Sequence, residues 1–448
     1  MSLTFKSELR GSVELPASKS LSNRALLINS LAKPYCQLEG LAQCDDTKAM
    51  RLAVNAALGR KAMAKGTRKA KKVATGMGDL FAEAITAPPT EPAITENPPI
   101  AINVGAAGTA MRFATALLAV TEGKCFRISG SERMHHRPIS ILVEALRALG
   151  ADIEYAGKEG YPPLEISGKR LTGTTVELSA EVSSQYISAL LMLGPVLPNG
   201  LQLRLRGDII SRPYINLTLS VMEAFGAKAV WIGESTIYVH AGGYQRESPF
   251  HIEKDWSAAS YWYELVALSD DPNACIDLPG LDTRSMQGDR RVMDYFTRLG
   301  VRTEQQEDGV RLTKTGVEPD IFLSLDLSEQ PDIAQTLVVT CAMLGVPFHF
   351  TGLQTLRIKE TDRLAALQNE LEKFGVVPQV RLDNELLWDG SAKRCMPASI
   401  DTYDDHRMAM AFAPCALKHP GLIINNPDVV TKSYPNFWND LRPFLNED

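Results

Sequence analysis

The sequence has no Cys-x-x-Cys pair, no run of apolar residues long enough to cross a membrane, no glycine-rich Walker loop and no surplus of basic charge. Its seven cysteines, at 36, 44, 125, 275, 341, 395 and 415, are odd in number and scattered, which argues against a disulfide framework and a zinc cage. The longest apolar stretches, such as Thr336–Phe348, fall short of the roughly 18 residues a spanning helix needs. The opening Met-Ser-Leu-Thr-Phe-Lys-Ser-Glu has neither the apolar centre of a signal peptide nor the Arg/Ser-rich character of a transit peptide. With 47 basic against 53 acidic residues the net charge is −6, so wholesale binding to nucleic acid or a membrane surface is not expected. What is present is ordinary: 448 residues, 45% apolar and 22% charged, the balance of a globular chain of two or three domains. The expectation is a soluble cytoplasmic protein with reduced thiols.

One pattern recurs: an amphipathic helix, then Leu or Phe, then Gly, then a short strand. The glycines are Gly150, Gly226, Gly300 and Gly375, spaced 74 to 76 residues apart. Ahead of the first, Ile139, Leu142, Val143, Leu146 and Leu149 share one helical face. A glycine just past a helix suits a left-handed C-terminal cap. An earlier copy, at Leu58–Gly59, stands 91 residues before Gly150. Six such units would use essentially the whole chain, and the period is too long for a solenoid but suits a small α/β layer. Between residues 60 and 72 lie seven basic side chains and no acidic one, followed by Pro88, Pro89, Pro92, Pro98 and Pro99. That reads as a solvated basic face and an extended connection, with a nucleic-acid patch the less favoured alternative.

Seven short clusters carry the chemistry. Lys19, Ser20 and Arg24 open an Ala/Leu-rich helix, as an anion site or as an N-cap with a surface arginine. Gly105-Ala106-Ala107-Gly108-Thr109-Ala110-Met111-Arg112 is a glycine turn before an apolar helix. Arg133 stands in a loop ahead of a Pro-initiated helix, beside His135 and His136, whose side chains point apart and lack a third metal ligand. Ser183, Ser184 and Gln185, then Ser211 and Tyr214, offer hydroxyls and an amide to an oxygen-rich ligand. Lys359-Glu360-Thr361-Asp362-Arg363 and Asp404-Asp405-His406-Arg407 place charge before helices, and Lys432 ends a strand-like run before the last helix. Each cluster alone also reads as a solvated helix start. Together they supply helix N-termini from both halves of the chain, as a cleft for multiply anionic substrates requires.

The strings LPASKSLSNRAL, AGTAMR, RMHHRPI, VSSQY, SRPYI, KETDRL, DDHRMAMA and TKSYP, in order from Leu15 to Pro435, closely resemble the motifs of the 5-enolpyruvylshikimate-3-phosphate synthase (3-phosphoshikimate 1-carboxyvinyltransferase) family. The resemblance implies an α/β (α+β), two-domain enolpyruvyl transferase fold of six βαβαββ units, forming an inverse α/β barrel-like pair of domains. It implies a first domain at 17–238, a second at 1–16 plus 239–448, and an active site in the cleft between them. The implied reaction transfers the enolpyruvyl group of phosphoenolpyruvate to the 5-hydroxyl of shikimate-3-phosphate in chorismate and aromatic amino-acid biosynthesis. No metal or organic cofactor, nucleic acid or membrane is implied, and the chain is expected to act as a monomer.

By the same resemblance Lys19, Gly108, Arg133, Gln185, Arg363, Arg407 and Lys432 are implied at phosphoenolpyruvate. Lys19, Ser20, Arg24, Ser183, Ser184, Gln185, Ser211, Tyr214, Asp332, Thr355 and Lys359 are implied at shikimate-3-phosphate. Asp332 and Glu360 are the implied acid/base groups, with Lys359 and Lys19 beside them. These residue types fit the chemistry, because lysine serves phosphate as a point charge and arginine grips carboxylate in a planar pair of bonds. Family members bind glyphosate where phosphoenolpyruvate binds, with Gly108 leaving the gap that the longer inhibitor needs. Three positions depart from the family pattern: Ala106 replaces an asparagine, Phe113 a proline and Thr355 an asparagine. Two other readings remain. A UDP-N-acetylglucosamine 1-carboxyvinyltransferase would need a loop cysteine, for which Cys125 is the one candidate, although its alternating surroundings suit a buried strand thiol better. A non-catalytic shikimate-phosphate-binding protein would not need Asp332, Lys359 and Glu360.

Overall fold

The computed structural model describes residues 1–60, 98–181, 183–393 and 395–446; all of the basic run but Arg60, and most of the Pro-rich connection, lie outside them. Alternation in the sequence becomes alternation in space. In the strand Cys125–Ser129, Phe126 and Ile128 are buried while Cys125 and Arg127 face outward. That strand pairs in parallel with Ile100–Asn103 and antiparallel with Leu164–Ser167, which pairs antiparallel with Asp152–Tyr155. The same order, one parallel and two antiparallel pairings, recurs in three further four-stranded sheets. They are Thr175–Ser179, Leu201–Arg206, Thr236–Val239 and Ala229–Ile232; Arg10–Ser12, Cys275–Pro279, Gly309–Lys314 and Val301–Gln305; and Leu323–Asp326, Phe348–Thr351, Glu385–Trp388 and Gln379–Arg381. Two smaller sheets complete six among the described residues: Leu38–Glu39 with Phe250–His251, and Ser2–Leu3, Leu422–Ile424 and Ser399–Ile400.

The chain forms two hydrophobic cores, three sheets around each. One gathers side chains from Leu21 to Ile252; the other joins Leu3, Phe5, Leu9, Val13 and Leu15 to residues from Trp256 to Leu445. The helices Gly108–Ala119, Trp256–Leu268 and Ala334–Leu344 are buried on nearly every face, whereas the sheets bury one face. Helices therefore lie inside and sheets outside in each core, the inverse of a usual α/β barrel. The chain passes between the cores at two adjacent points. Ser18 donates its backbone N–H to Glu253, and Asp255 donates to Pro16, so the outgoing and returning strands brace each other.

The repeat glycines all adopt left-handed backbone, with φ of +104° at Gly150, +82° at Gly226, +83° at Gly300 and +78° at Gly375. In each unit a later segment folds back and donates an N–H to a carbonyl at this turn: Gly173 to Leu149, Gln245 to Phe225, Thr315 to Gly300 and Lys393 to Gly375. A Cβ on Gly375 would lie 2.0 Å from the Lys393 carbonyl oxygen, whereas one on Gly150 would meet nothing within 4 Å. We expect Gly150→Ala to cost about 1–2 kcal/mol, the left-handed penalty alone. Gly375→Ala adds displacement of packed backbone and should cost about 3 kcal/mol or more. Urea unfolding of both variants checks this, and equal losses would contradict it.

Candidate active site

Five α-helices among the described residues begin with a side-chain cap: Ser18, Ser183, Asp255, Asp362 and Asp405 each accept a backbone N–H from the first turn. All five starts face the cleft between the cores, where buried N–H groups have little water to satisfy them. The cap of Asp405 aims Arg407 inward from the helix His406–Phe412, and Asp362 does the same for Arg363 on Arg363–Lys373. Lys19 is the first residue of Lys19–Leu31, Ser183 and Ser184 start Ser184–Leu193, and Gly108 opens Gly108–Ala119. Between them lies a cavity bordered by residues of both cores.

Its charges are buried and interlocked. Arg363, with a side chain 1% exposed, donates to both oxygens of Asp405, at 2.7 and 3.2 Å, and to Glu360 at 3.0 Å. Its remaining nitrogen, Nη1, has no hydrogen-bond partner within the protein and lies 3.6 Å from Asp332. Glu360 also accepts from Lys432 Nζ at 2.6 Å and lies 3.6 Å from Arg137 Nη1. Asp332 accepts from Arg407 at 3.0 Å and from Lys359 at 3.4 Å. Burial favours the neutral acid at Glu360, but Lys432, Arg137 and Arg363 outweigh it and hold the carboxyl well below the usual range. At Asp332 burial is likewise overridden, by Arg407, Lys359 and Arg363. Burial, only partly opposed by Asp332, leaves Lys359 below the ordinary lysine value. At Lys19 the balance is reversed: burial would lower it, but Asp46, 3.3 Å away, holds it raised. His406 is fully enclosed, and burial with Lys19 and Arg407 nearby keeps it neutral.

The other wall is less charged and richer in hydroxyls. Arg24 donates to Thr218 at 2.7 Å, to Ser188 at 3.4 Å and to the carbonyls of Ser20 and Tyr214. It has no carboxylate partner, and burial lowers it to about 10. Phe113, the residue in place of the family's proline, is fully buried and holds its ring 5.5 Å from the Arg24 guanidinium, a cation–π support. Gln185 donates to Thr109 at 3.1 Å and so joins two motif loops. Thr355 is buried with an unpartnered hydroxyl on the cavity. Ala106 has lost the amide of the family's asparagine, yet its backbone carbonyl accepts from Lys432 at 2.8 Å.

The structure brings almost every expected residue to this cavity, with two rearrangements. Arg133 is exposed in the turn Glu132–His136 and donates to the backbone carbonyls of Glu360 and Lys359, at 3.1 and 3.3 Å, outside the main cavity. The arginine inside is Arg137, from the same string, whose guanidinium fills the space where a Gly108 Cβ would stand, 2.6–2.8 Å away. Lys432 ends a 3-10 turn, Pro427–Lys432, rather than a strand-like run, because Pro427 fixes a helical φ. Cys125 is on a strand but exposed, on the outward side of the alternation, and does not line the cavity. His135 bonds Ser129, and His136 bonds the Glu132 carbonyl. Among the described residues no group of three or more His, Cys, Asp or Glu could hold a metal ion. Sequence reasoning missed Arg137, Asp46, Asp405 and His406, three of which stand inside motifs that were in view.

The fold and cleft together define a class: a two-domain α/β protein whose domains are each an inside-out barrel, closed over a buried cluster of cations and acids. Within that class the chain belongs to the EPSP synthase (3-phosphoshikimate 1-carboxyvinyltransferase) family, whose model matches residues 3–441. It is 50% identical over 442 residues to the 3-phosphoshikimate 1-carboxyvinyltransferase of Bacteroides fragilis strain YCH46, covering 98% of this chain and 96% of the relative. It is 36% identical over 444 residues to that of Aliivibrio fischeri strain ES114, covering 98% and 99%. The solved structure of EPSP synthase from Acinetobacter baumannii shares the fold, with a TM-score of 0.70 at 20% identity over 99% of this chain and 98% of that one.

The depressed carboxyl of Glu360 has a pH signature. Its stabilising contribution is full above the unfolded-state value near 4 and is lost as pH falls below that towards the folded value. Glu360→Gln, which leaves Lys432 and Arg137 short of a partner, should cost about 1–3 kcal/mol at pH 7 in a buffer without multivalent anions. The gap to the parent protein should narrow below about pH 4. Denaturant titrations at several pH values test this; a gap independent of pH would show that the carboxylate charge is not what is lost.

Proposed function

We propose that the chain transfers the enolpyruvyl group of phosphoenolpyruvate to the 5-hydroxyl of shikimate-3-phosphate, releasing phosphate, in chorismate biosynthesis. The observation that carries this reading is the pair Asp332 and Glu360, held on either side of Arg363 on the cationic wall of a cleft whose other wall is rich in hydroxyls. Addition requires the 5-hydroxyl to lose a proton as its oxygen bonds C2, while C3 gains one. Elimination then removes that type of proton from C3 and expels phosphate. Asp332, ionised beside Lys359, is placed to take the hydroxyl proton, and Glu360 to serve C3. Glu360 is too acidic to donate while Lys432, Arg137 and Arg363 surround it. Anionic substrate groups that engage those cations would raise it into working range.

In this reading Lys19, Arg133, Gln185, Lys432, Arg363 and Arg407 hold phosphoenolpyruvate, with Arg137 added over Gly108. Ser20, Arg24, Ser183, Ser184, Ser211, Tyr214 and Thr355 face shikimate-3-phosphate. The proton and phosphate balance calls for no cofactor. The chain is proposed to act as a monomer. Among the described residues no helix is long and apolar enough to cross a membrane. The first domain is best drawn as 17–252, since Tyr244 and Ile252 pack in the first core.

Phosphate release from phosphoenolpyruvate with shikimate-3-phosphate, and separately with UDP-N-acetylglucosamine, tests the assignment. Turnover with the sugar nucleotide alone, or with neither, would overturn it. Glu360→Gln should still bind both ligands but lose a factor of about 10² to 10⁴ in turnover; near-normal turnover would reject Glu360 as a proton-transfer group.

Glyphosate should compete with phosphoenolpyruvate, and Gly108→Ala should raise its inhibition constant more than the KM, because the new methyl displaces the Arg137 guanidinium. A pattern insensitive to phosphoenolpyruvate, or equal losses for substrate and inhibitor, would sink the role given to Gly108.

A further inference from the structure

Asp289 stands outside every motif in the sequence reading, in the short turn Gly288–Arg291 of the second domain, and is 3% exposed. Both of its oxygens are occupied. Oδ1 accepts the hydroxyl of Tyr214, 2.5 Å away on the helix Arg212–Ala224 of the first domain, and Oδ2 accepts the hydroxyl of Ser257. The contact therefore crosses the domain boundary, and its surroundings fix it. Ser211 donates its N–H to the Ser328 carbonyl of the second domain at 2.9 Å, in a left-handed conformation with φ +58°. Gly288 packs so closely on Pro213 that a Cβ there would lie 2.5 Å from the proline ring. Tyr214 and Asp332 line the same cavity.

A phenol has one proton. Given to Asp289, that proton is not available to a ligand, and what Tyr214 presents to the cavity is an oxygen lone pair. An oxygen that can only accept cannot serve a phosphate, whose oxygens also accept, but it suits a ligand hydroxyl. Burial and the neighbouring Asp332 push the Asp289 carboxyl up to about 6, which still leaves it ionised, and hence an acceptor, at neutral pH.

We propose that Asp289 is a positioning residue for substrate selection: by taking the Tyr214 proton across the domain boundary it makes the tyrosine oxygen an acceptor for a ring hydroxyl of the shikimate-3-phosphate-side ligand. The inference rests on the reading of the cleft given above. It adds a polarity to that side of the site, hydroxyl-accepting at Tyr214 and phosphate-donating at the serines and Lys19.

The test is a double-substitution cycle in the full-length protein, with KM measured for each substrate. Asp289→Ala should raise the KM for shikimate-3-phosphate about 3- to 10-fold, the worth of one hydrogen bond, and change the KM for phosphoenolpyruvate less than twofold. Tyr214→Phe should do the same, and the double variant should be no worse than Tyr214→Phe alone, because Asp289 acts through that hydroxyl. Asp289→Asn, which keeps an acceptor oxygen, should recover most of the loss, and Asp289→Leu, which has none, serves in the cycle if the alanine variant does not fold. Additive losses, equal changes for both substrates, or no change in Asp289→Ala while the parent protein turns over normally would overturn the proposal alone. A parent protein inactive with shikimate-3-phosphate would overturn it together with the proposed function.

Discussion

A guanidinium cannot be buried without a counter-charge, and the cleft is organised around meeting that demand at Arg363. Asp405 meets most of it, gripping Arg363 through both oxygens while also capping the helix that carries Arg407. One aspartate thus ties two arginines from different helices into a fixed relation. Glu360 and Asp332 take the remaining faces of the cluster and are held ionised in return. The arrangement is preorganised for anions, since the donors are already oriented and substrate need only replace carboxylates in an existing network. Domain contacts follow from the same cluster. Lys432 reaches from the second core to the Ala106 carbonyl of the first, and Arg133 and Arg137 reach back to Lys359 and Glu360. A cationic cleft alone would repel itself; the internal acids let the two barrels meet.

Much of this was legible in the sequence because it depends on local rules. The 75-residue period showed the repeat, since every unit needs a left-handed turn after its second helix and glycine meets that need. The motif strings gave the resemblance, the two-domain fold and nearly all of the cavity lining. What they could not give was direction. Arg133 and Arg137 lie one helical turn apart in the same string, and which of them enters the cavity depends on the 3-10 turn Glu132–His136. Alternation placed Cys125 on a strand, but the expected buried thiol was the wrong face; Phe126 and Ile128, the larger apolar pair, turn inward and leave Cys125 exposed. Asp289 was invisible for another reason. Its partners, Tyr214 and Ser257, come from helices of the two different domains, and no local pattern marks such a meeting.

The three departures from the family pattern lie in or behind the cleft wall. Phe113 cannot fix the backbone as proline does, but its ring supports the guanidinium of Arg24, which otherwise meets only hydroxyls and carbonyls. Ala106 contributes through its carbonyl where an amide is usual. Thr355 presents a hydroxyl to the cavity in place of an asparagine.

The double passage between the cores has a consequence for how the molecule assembles. The sheet that closes the second barrel pairs Ser2 with Ile423 and Leu3 with Leu422, and Arg10–Ser12 lies beside Cys275–Pro279. Residues 2–12 are made before the first barrel and must therefore wait, unpaired, while it is made and folds behind them. Until residues near 422 arrive, Ser2 and Leu3 lack their partner strand beside a finished domain. Pairings across such distances are slow to form. The second barrel, which carries Asp332, Glu360, Arg363 and Arg407, is thus a late product of synthesis, and the cleft exists only once both barrels have formed.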